Sequence, residues 1–513
     1  MRWWETNLGR SLVESGRAAP RSRAAVFDGA QHSRLTSSWT GTSGSIDADV
    51  YASLDTIRRR TRSLSYNNPY VRKFLGMCQT HVIGPQGFAL QVRAMFPDGL
   101  ELDEVGNSAV EAAFARWCRR GVCDVSGKLS FWDVCRLAVR AVARDGECLI
   151  RKVRGGGINP FEFGLMVVDI DRLDVQKNEI ARNGNLVKMG VEVNDLGRPV
   201  AYWLRKSHPG DTFLSMAART MDWERVPAEE VYHLGVPDRP EQTRFLPWIV
   251  AAMLRLQMLG QYEEAANVAA NYGASKAAVI TAPDGDASPL ADDVEEGLGG
   301  DLLQEVTPGE TRVLPPGYTM SAFDPSYPHE QFGTFVKAML RGVASGVGES
   351  GISYNSLASD LEGVNYSSIR QGVLEERDAW MILQTWFAEW FLQPVYSDWL
   401  SMALLTGQVR TPRGGVIGPD KFDKFNVSKW QGRRWAWVDP KADIEAAARA
   451  IQEGLKSRRQ VIAEIGGDIE DVWQDLAREQ AKAKELGLVL GPPPAAAPRP
   501  APAEPTDDTE KQP

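Results

Sequence analysis

The side chains best placed to do chemistry are three carboxylates, Asp169, Asp171 and Asp174, in the row VVDIDRLD. Along a β-strand successive side chains alternate, so Asp169 and Asp171 would share one face and could hold Mg²⁺, as in a metal-dependent nuclease. No further acid cluster lies in sequence range, which favours a turn at a strand end over a metal site. The row Gly346-Val-Gly348-Glu-Ser-Gly351 matches GxGxxG by letter. A dinucleotide loop follows a strand and opens a helix, whereas here a helical pattern precedes the glycines and none opens on them, so the match fails by context. His32, His81, His208, His233 and His329 form no HExxH or other metal-spaced pair, and neither GxSxG nor a GxxxxGK[ST] phosphate loop occurs. Cys78, Cys118, Cys123, Cys135 and Cys148 are odd in number and make no CxxC pair, the pattern of reduced, partly buried thiols. The expectation is a protein with no catalytic site, no metal and no cofactor.

The elements carry more information than the reactive groups. Residues 331–394 read as a helix, a polar loop and a second long helix. Phe332, Phe335, Val336, Met339, Leu340 and Val343 recur at spacings of three and four, which gives the first helix one apolar face. Trp380, Leu383, Phe387, Trp390 and Phe391 do the same for the second. Between them, residues 346–366 are rich in Gly, Ser and Asn, and a loop of that length between strong helices is functional or disordered.

At 513 residues the chain should hold two or more domains. Its net charge of −9 excludes a bulk-basic nucleic-acid binder, so any DNA contact must be local or of a kind that does not grip. No run of 18 apolar residues and no signal-type apolar core occurs, so a soluble, intracellular protein without a membrane partner is expected.

In chain order, residues 1–45 lack periodicity and read as a mobile arm. A basic helix over 55–64 carries Arg58, Arg59, Arg60 and Arg62, facing solvent or a neighbouring subunit on one reading and phosphate on another. Asn68 caps a helix that opens at Pro69; further helices cover 108–118 and, capped by Ser130, 131–144. Strands follow at 147–153, 163–169, 190–193, 200–204 and 231–234, with Asn194 to Gly197 as a hairpin turn. Residues 47–240 thus form an α+β domain. A helix over 247–272 would span roughly 39 Å. Strands at 277–281 and 311–314 flank the acidic, Gly-rich segment 282–300, so residues 274–325 are a small module carried on two helices. After residue 394 come another helix, a connection with Trp430, Arg433, Arg434, Trp435 and Trp437, a helix from Asp439-Pro440 to about residue 456, a shorter one after Ser457, and a last one over 468–486. Residues 491–513 are a Pro/Ala tail that cannot bury enough apolar area to fold.

With these residues in hand the chain resembles a tailed-phage portal protein of the lambda type. The matching stretches include RSLSYNNPYVRKFLGMCQTHVIGPQG (62–87), LSFWDVCRLAVRAVARDGECLIRK (129–152), MGVEVNDLGRPVAYWL (189–204), HPGD (208–211), RVPAEEVYHL (225–234), LASDLEGVNYSSIRQGVLEERDAW (357–380) and WAWVDPKADIEAAARAIQEGLKSRRQVIAEIG (435–466). The resemblance implies a multidomain α+β portal fold that assembles into a ring, usually of twelve subunits, around a central channel. It divides the chain into an arm (1–46), a wing (47–240), a stem helix (241–273), a clip (274–325), a second stem helix (326–349), a tunnel loop (350–366), a long helix with the wing/crown connection (367–438), a crown (439–487) and a tail (488–513). It implies DNA packaging and ejection at a capsid vertex, in the virion and, during assembly, in the host cytoplasm. The implied partners are further copies of the chain, the large terminase subunit, head–tail connector proteins, major capsid and scaffold proteins, and double-stranded DNA in non-specific passage. The expected DNA-facing residues are Ser353, Asn355, Ser356, Ser359, Asn365 and Tyr366, with Lys337 and Arg341 near the stem and Asp292, Asp293 and Glu295 docking the clip partner. The alternatives are a minor capsid or adaptor protein without a channel, and the metal-dependent nuclease.

Overall fold

A computed structural model describes residues 44–97, 101–211, 222–274, 278–281, 295–296, 302–303, 319–322, 331–363, 365–435 and 440–488. The arm before residue 44, most of the clip, the expected strand 311–314, and the tail after residue 488 lie outside them, as do Asp292 and Asp293. No helix among the described residues is long and apolar enough to cross a membrane.

Helix α1 (Ile46–Asn67) is longer than the expected 55–64 because Ser45 caps it, accepting from the Ala48 amide. Asn68 ends α1 and caps α2 (Pro69–Cys78), accepting from the Tyr70 and Val71 amides, and a π-turn (Gln79–Ile83) carries α2 onward. Strand β1 (Ala89–Val92) and helix α3 (Glu104–Trp117, capped by Asp103) come next. Helix α4 (Phe131–Asp145) opens on a capping box between Ser130 and Asp133 and buries Phe131, Val134, Cys135, Ala138, Val139 and Val142, the face its spacing dictates. It ends at Gly146, whose φ is +91°; a Cβ there would lie 2.3 Å from the Phe245 carbonyl, so only glycine lets the two chain segments meet.

Among the described residues, two sheets lie between residues 147 and 235. Strand β2 (Glu147–Arg154) lies between β3 (Phe163–Val168) and, further along the chain, β9 (Val231–Gly235) in an antiparallel sheet. Between them β4 (Glu179–Ile180), β5 (Leu186–Lys188), β6 (Val191–Val193), β7 (Pro199–Arg205) and β8 (Trp223–Pro227) form a sequential antiparallel meander. Asn194 makes the β6–β7 turn by accepting from the Leu196 and Arg198 amides through its side chain.

The expected helix from residue 247 starts as a single 3-10 turn (Val250–Ala252) and becomes α5 (Met253–Ala274). Strand β10 (Ala278–Thr281) leads away from it, a short pair β11 (Glu295–Glu296) and β12 (Leu302–Leu303) lies beyond, and β13 (Thr319–Ala322) returns antiparallel to β10. The chain resumes in α6 (Phe332–Ala344), α7 (Tyr354–Ala358) and α8 (Tyr366–Phe387). Pro394 does not break the next helix. A π-turn (Ala388–Leu392) precedes α9 (Gln393–Leu405) and leaves the proline in its first turn, where the missing N–H costs little. Strand β14 (Ser428–Gln431) then pairs with β1, and the chain ends in α10 (Pro440–Gln452), α11 (Arg458–Glu464) and α12 (Ile469–Leu486).

The main core lies where α2, α3 and α4 meet α8 and α9. Phe114 stands within 6.0 Å, ring to ring, of Trp117, Phe131, Tyr396, Trp399 and Trp430. Such pairs add about 0.5–1.5 kcal/mol each beyond their buried area, so much of the tryptophan content serves the core.

Candidate functional site

The segment between α6 and α8 is built from the glycines outward. Gly348 has φ +75°, and its amide donates to the Trp248 carbonyl at 2.8 Å. The Ile352 amide reaches back to the Ala344 carbonyl at 2.9 Å. The GxGxxG row is therefore a reversal that closes the end of α6 against the start of the α5 region. Ser353 then caps α7, accepting from the Ser356 amide at 3.1 Å. The Ser356 hydroxyl donates to Glu376 of α8 at 2.7 Å, and Leu357 is buried in the main core. Asn365 caps α8, accepting from the Ser368 amide at 2.9 Å. Three of the polar side chains expected to face DNA thus also have local work in and around helix caps.

The tip is held from below. Lys337 of α6 reaches Asp360 at 3.3 Å and Glu362 at 3.1 Å, and these carboxylates raise its ammonium pKa. The Tyr354 hydroxyl donates to Asp360 at 2.7 Å, and the Arg341 guanidinium lies 5.5 Å over the Tyr354 ring. Lys73 of α2 donates to the Ser359 hydroxyl. Lys337 and Arg341, singled out by sequence, therefore brace the loop of their own chain. Asn355 is half-buried, and the side chain of Tyr366 lies outside the described residues. Ser359 and Asn365 are exposed, and so are two groups outside the expected set: Leu361, 65% exposed, and the neighbouring carboxylate of Glu362. A criterion of uncharged polarity passes over the acids beside Ser359, although the run Asp-Leu-Glu-Gly at 360–363 is a legible turn signal. Of the clip set, only Glu295 is described, in the backbone of β11.

The aspartate row forms the turn at a strand end that its sequence favoured, in place of a continued strand face. Asp169 ends the strand and caps a 3-10 turn (Ile170–Arg172), accepting from the Asp171 amide at 2.9 Å. Asp169, Asp171 and His208 converge, but Arg62 fills the gap, with 2.5 and 3.0 Å contacts to Asp171 and 3.8 Å to Asp169. His208 Nδ1 accepts from the Gly210 amide at 3.0 Å, which leaves the ring proton on Nε2, 3.5 Å from Asp171. The face the cluster offers is thus already occupied by cationic and N–H donors. Wild type and Asp169→Asn are expected to show the same absence of Mg²⁺-dependent DNA cleavage, with Asp169→Asn losing about 1 kcal/mol or less as a conservative cap change. Cleavage abolished by Asp169→Asn would restore the nuclease alternative.

The arginine helix is the clearest departure from expectation. Arg58 is 2% exposed and faces neither solvent, phosphate nor another subunit. It pairs with the fully buried Glu147, which also takes Arg244 at 2.6 Å and His233 at 2.7 Å. Burial pushes the Glu147 carboxyl up, but Arg244 and Arg58 outweigh it and hold it well below the usual carboxylate range. Arg62 joins Asp145 at 2.8 Å. Arg244, in turn, donates to the Met189 and Leu173 carbonyls at 2.5 and 3.3 Å. One carboxylate therefore ties α1, β2, β9 and the approach to α5 together.

A second tie joins the C-terminal connection to α8. His81 stacks between Trp380 and Trp435, centroids 5.1 and 6.0 Å away, and accepts from Trp435 Nε1 at 3.2 Å. Burial and the Arg433 charge bring its pKa down to about 4, so it remains a neutral acceptor. The Gln384 amide donates to the His81 and Arg433 carbonyls at 2.8 and 3.0 Å.

The family model described as phage portal protein, lambda family, matches residues 32–384. A probable portal protein of Halomonas phage phiHAP-1 is 35% identical over 471 residues, covering 90% of this chain and 88% of the relative. The portal protein of Escherichia phage N15 and portal protein B of Escherichia phage lambda are 23% and 22% identical, each over 482 residues, 88% of both chains. A solved chain from the neck of an empty gene transfer agent particle, computed with C6 symmetry, is 13% identical, covers 80% of this chain and 94% of its own, and has a TM-score of 0.42. By the family match and the 35% identity over nine-tenths of its length, the chain belongs to the lambda family of phage portal proteins.

Proposed function

We propose that this portal protein forms a ring, usually of twelve copies, at the capsid vertex, and that double-stranded DNA passes through its centre without sequence recognition. Helices α5 and α6 are the stem, residues 274–325 the clip, 350–366 the tunnel loop and the helices after residue 439 the crown. The family is a structural one and supplies no enzymatic activity. The carrying observation is the pairing of α5 with α6. Tyr262 stands 5.6 Å from Phe332 and 4.7 Å from Phe335, and β10 and β13 pair where the excursion leaves and returns. At the opposite end of the same two helices sits the braced loop. A module at one end and a loop at the other is what a stem requires.

The surface of the stem supports self-association. Leu254, Met258 and Val268 of α5 and Phe335 of α6 are each at least 44% exposed. The spacing 254, 258, 261, 265, 268 is the three-four alternation of a helix seam. The net-acidic body agrees with a channel that must not neutralise and hold a polyanion. Wing and clip surfaces would meet capsid and scaffold proteins, the large terminase subunit and later the connector proteins, first in the host cytoplasm and then in the virion. Class-averaged electron micrographs of the purified protein test this directly. A ring with a central hole is expected; a monomer or irregular particle would favour an adaptor without a channel. Charge reversal at Asp292, Asp293 and Glu295 together should weaken large-terminase binding about tenfold, as loss of complementary charges does, with the ring intact. Unchanged affinity would remove docking from that segment.

A further inference from the structure

Two faces that the described residues leave uncovered are complementary to each other. The first is a groove of about 580 Å³ between α1 and α5, lined by Ile57, Arg60, Leu64, Val250, Met253 and Leu254. Its rim is apolar, with Leu254 71% exposed and Met258, one turn further along α5, 55% exposed. Arg60 and its neighbour Arg59 are exposed and form no ion pair among the described residues. Their sister residues Arg58 and Arg62 turn inward, so the basic helix divides into a structural half and an unpaired half.

The second face is the outer side of α8. The inner side, with Trp380, Leu383, Gln384 and Phe387, is buried. On the opposite side, Leu374, Asp378 and Ile382 form a stripe at spacings of four with Glu375 beside it, Leu374 being 41% and Ile382 67% exposed. Glu375 and Asp378 form no ion pair among the described residues. Because α8 is fastened to its own core by the opposite side, this stripe points away from the chain that carries it.

We propose that the acidic, apolar stripe of α8 docks in the α1/α5 groove of a second copy of the chain, with Ile382 against Leu254 and Asp378 facing Arg60. The proposal rests on the ring reading and specifies the contact that would close it. Two different surfaces meeting head to tail are what cyclic symmetry above two-fold needs. Each face pairs apolar area with charge of one sign, and the signs are opposite, which steers encounter and fixes register. DNA suits the groove less well, since the exposed Leu254 and Met258 at its rim give a polyanion nothing to bind.

Two measurements on the full chain decide it. Arg60→Glu should raise the protein concentration for half-assembly, read by native mass spectrometry, about tenfold or more, and adding Asp378→Arg should bring it back to within about threefold of wild type. Leu254→Cys combined with Ile382→Cys should form oxidised ladders of linked subunits, while either change alone should not; the native thiols are buried or half-buried and raised in pKa. Both variants alter exposed positions, so thermal melts should match wild type. A wild type that forms no ring overturns the ring reading itself. Rings that form normally with Arg60→Glu and give no ladder overturn this contact and leave the ring standing. Rings indifferent to Arg60→Glu but with weakened DNA retardation assign the basic edge to DNA instead.

Discussion

Replacing Glu147 by alanine is expected to destabilise the protein by about 3–5 kcal/mol, because it leaves two buried arginines without their carboxylate. Glu147 and Arg244 are both fully buried, and Arg58 is nearly so. Each arginine is held by further oxygens, Arg58 by the Asp145 carbonyl at 2.9 Å and Arg244 by two carbonyls, so neither can swing out to water without breaking those bonds as well. In calorimetry the melting midpoint should fall by on the order of 10 °C. Glu147→Gln preserves the volume and still removes the charge, so it should show much of the same loss. Glu224→Ala, which removes a part-exposed partner of Arg151, is the comparison and should cost about 0.5 kcal/mol or less. Equal midpoints for Glu147→Ala and Glu224→Ala would mean that the buried cluster does not hold α1, β2 and the approach to α5 together. Because Arg244 lies just before α5, the loss should also lower ring yield more than its effect on wing stability alone would suggest.

The second large effect is expected at the loop tip. In the ring reading, Asp360 and Glu362 of every copy crowd the channel, and Lys337 only partly offsets them. Converting both to lysine changes each copy from two negative charges to two positive ones. A collar of lysines releases counterions from the phosphates it meets, and contact with even six to ten phosphates changes affinity by roughly 10³–10⁵ between 50 and 200 mM salt. Rings carrying Asp360→Lys and Glu362→Lys should therefore retain duplex DNA at low salt, lose it steeply as salt rises, and reduce nuclease-protected packaged genome about tenfold or more under packaging conditions. Leu361→Ser leaves the charge unchanged and should leave the salt slope unchanged. Double-lysine rings that package at the wild-type rate with a flat salt response would place the loop away from the DNA path.

The parts legible in the sequence are those decided within a turn of helix or one hairpin. Asn68 with Pro69, Ser130 with Asp133 and the Asn194 turn all satisfy amides two to four residues away, so residue type and spacing suffice. The apolar spacing of α6 and α8 reveals both helices for the same reason. Ser353 and Asn365 stand out in the sequence for their polarity, and locally they are helix caps, a role their own neighbours could have indicated.

What the sequence alone determined is thus the order and kind of the longer helices and of β2, β3, β6, β7, β9 and β10, though not of β1, β4, β5, β8, β14 or the short α7, together with the failure of every catalytic motif in its context and the resemblance that the family match then established. What only the tertiary structure decided is which charges are buried and which are offered. Arg58, Arg59, Arg60 and Arg62 are alike in type and close together in the chain, yet two find carboxylates 83 to 109 residues away and two find none among the described residues. The reason is geometric. A helix turns about 100° per residue, so Arg58 and Arg62, four apart, share one face while Arg59 and Arg60 point elsewhere, and only the packing of α1 against β2 and α4 decides which face is inward. The polar loop between α6 and α8 changed in the same way. Its reversal, its caps and its bracing by Lys337 come from residues on three helices, and together they turn a flexible-looking stretch into a held tip that exposes Leu361 and Glu362.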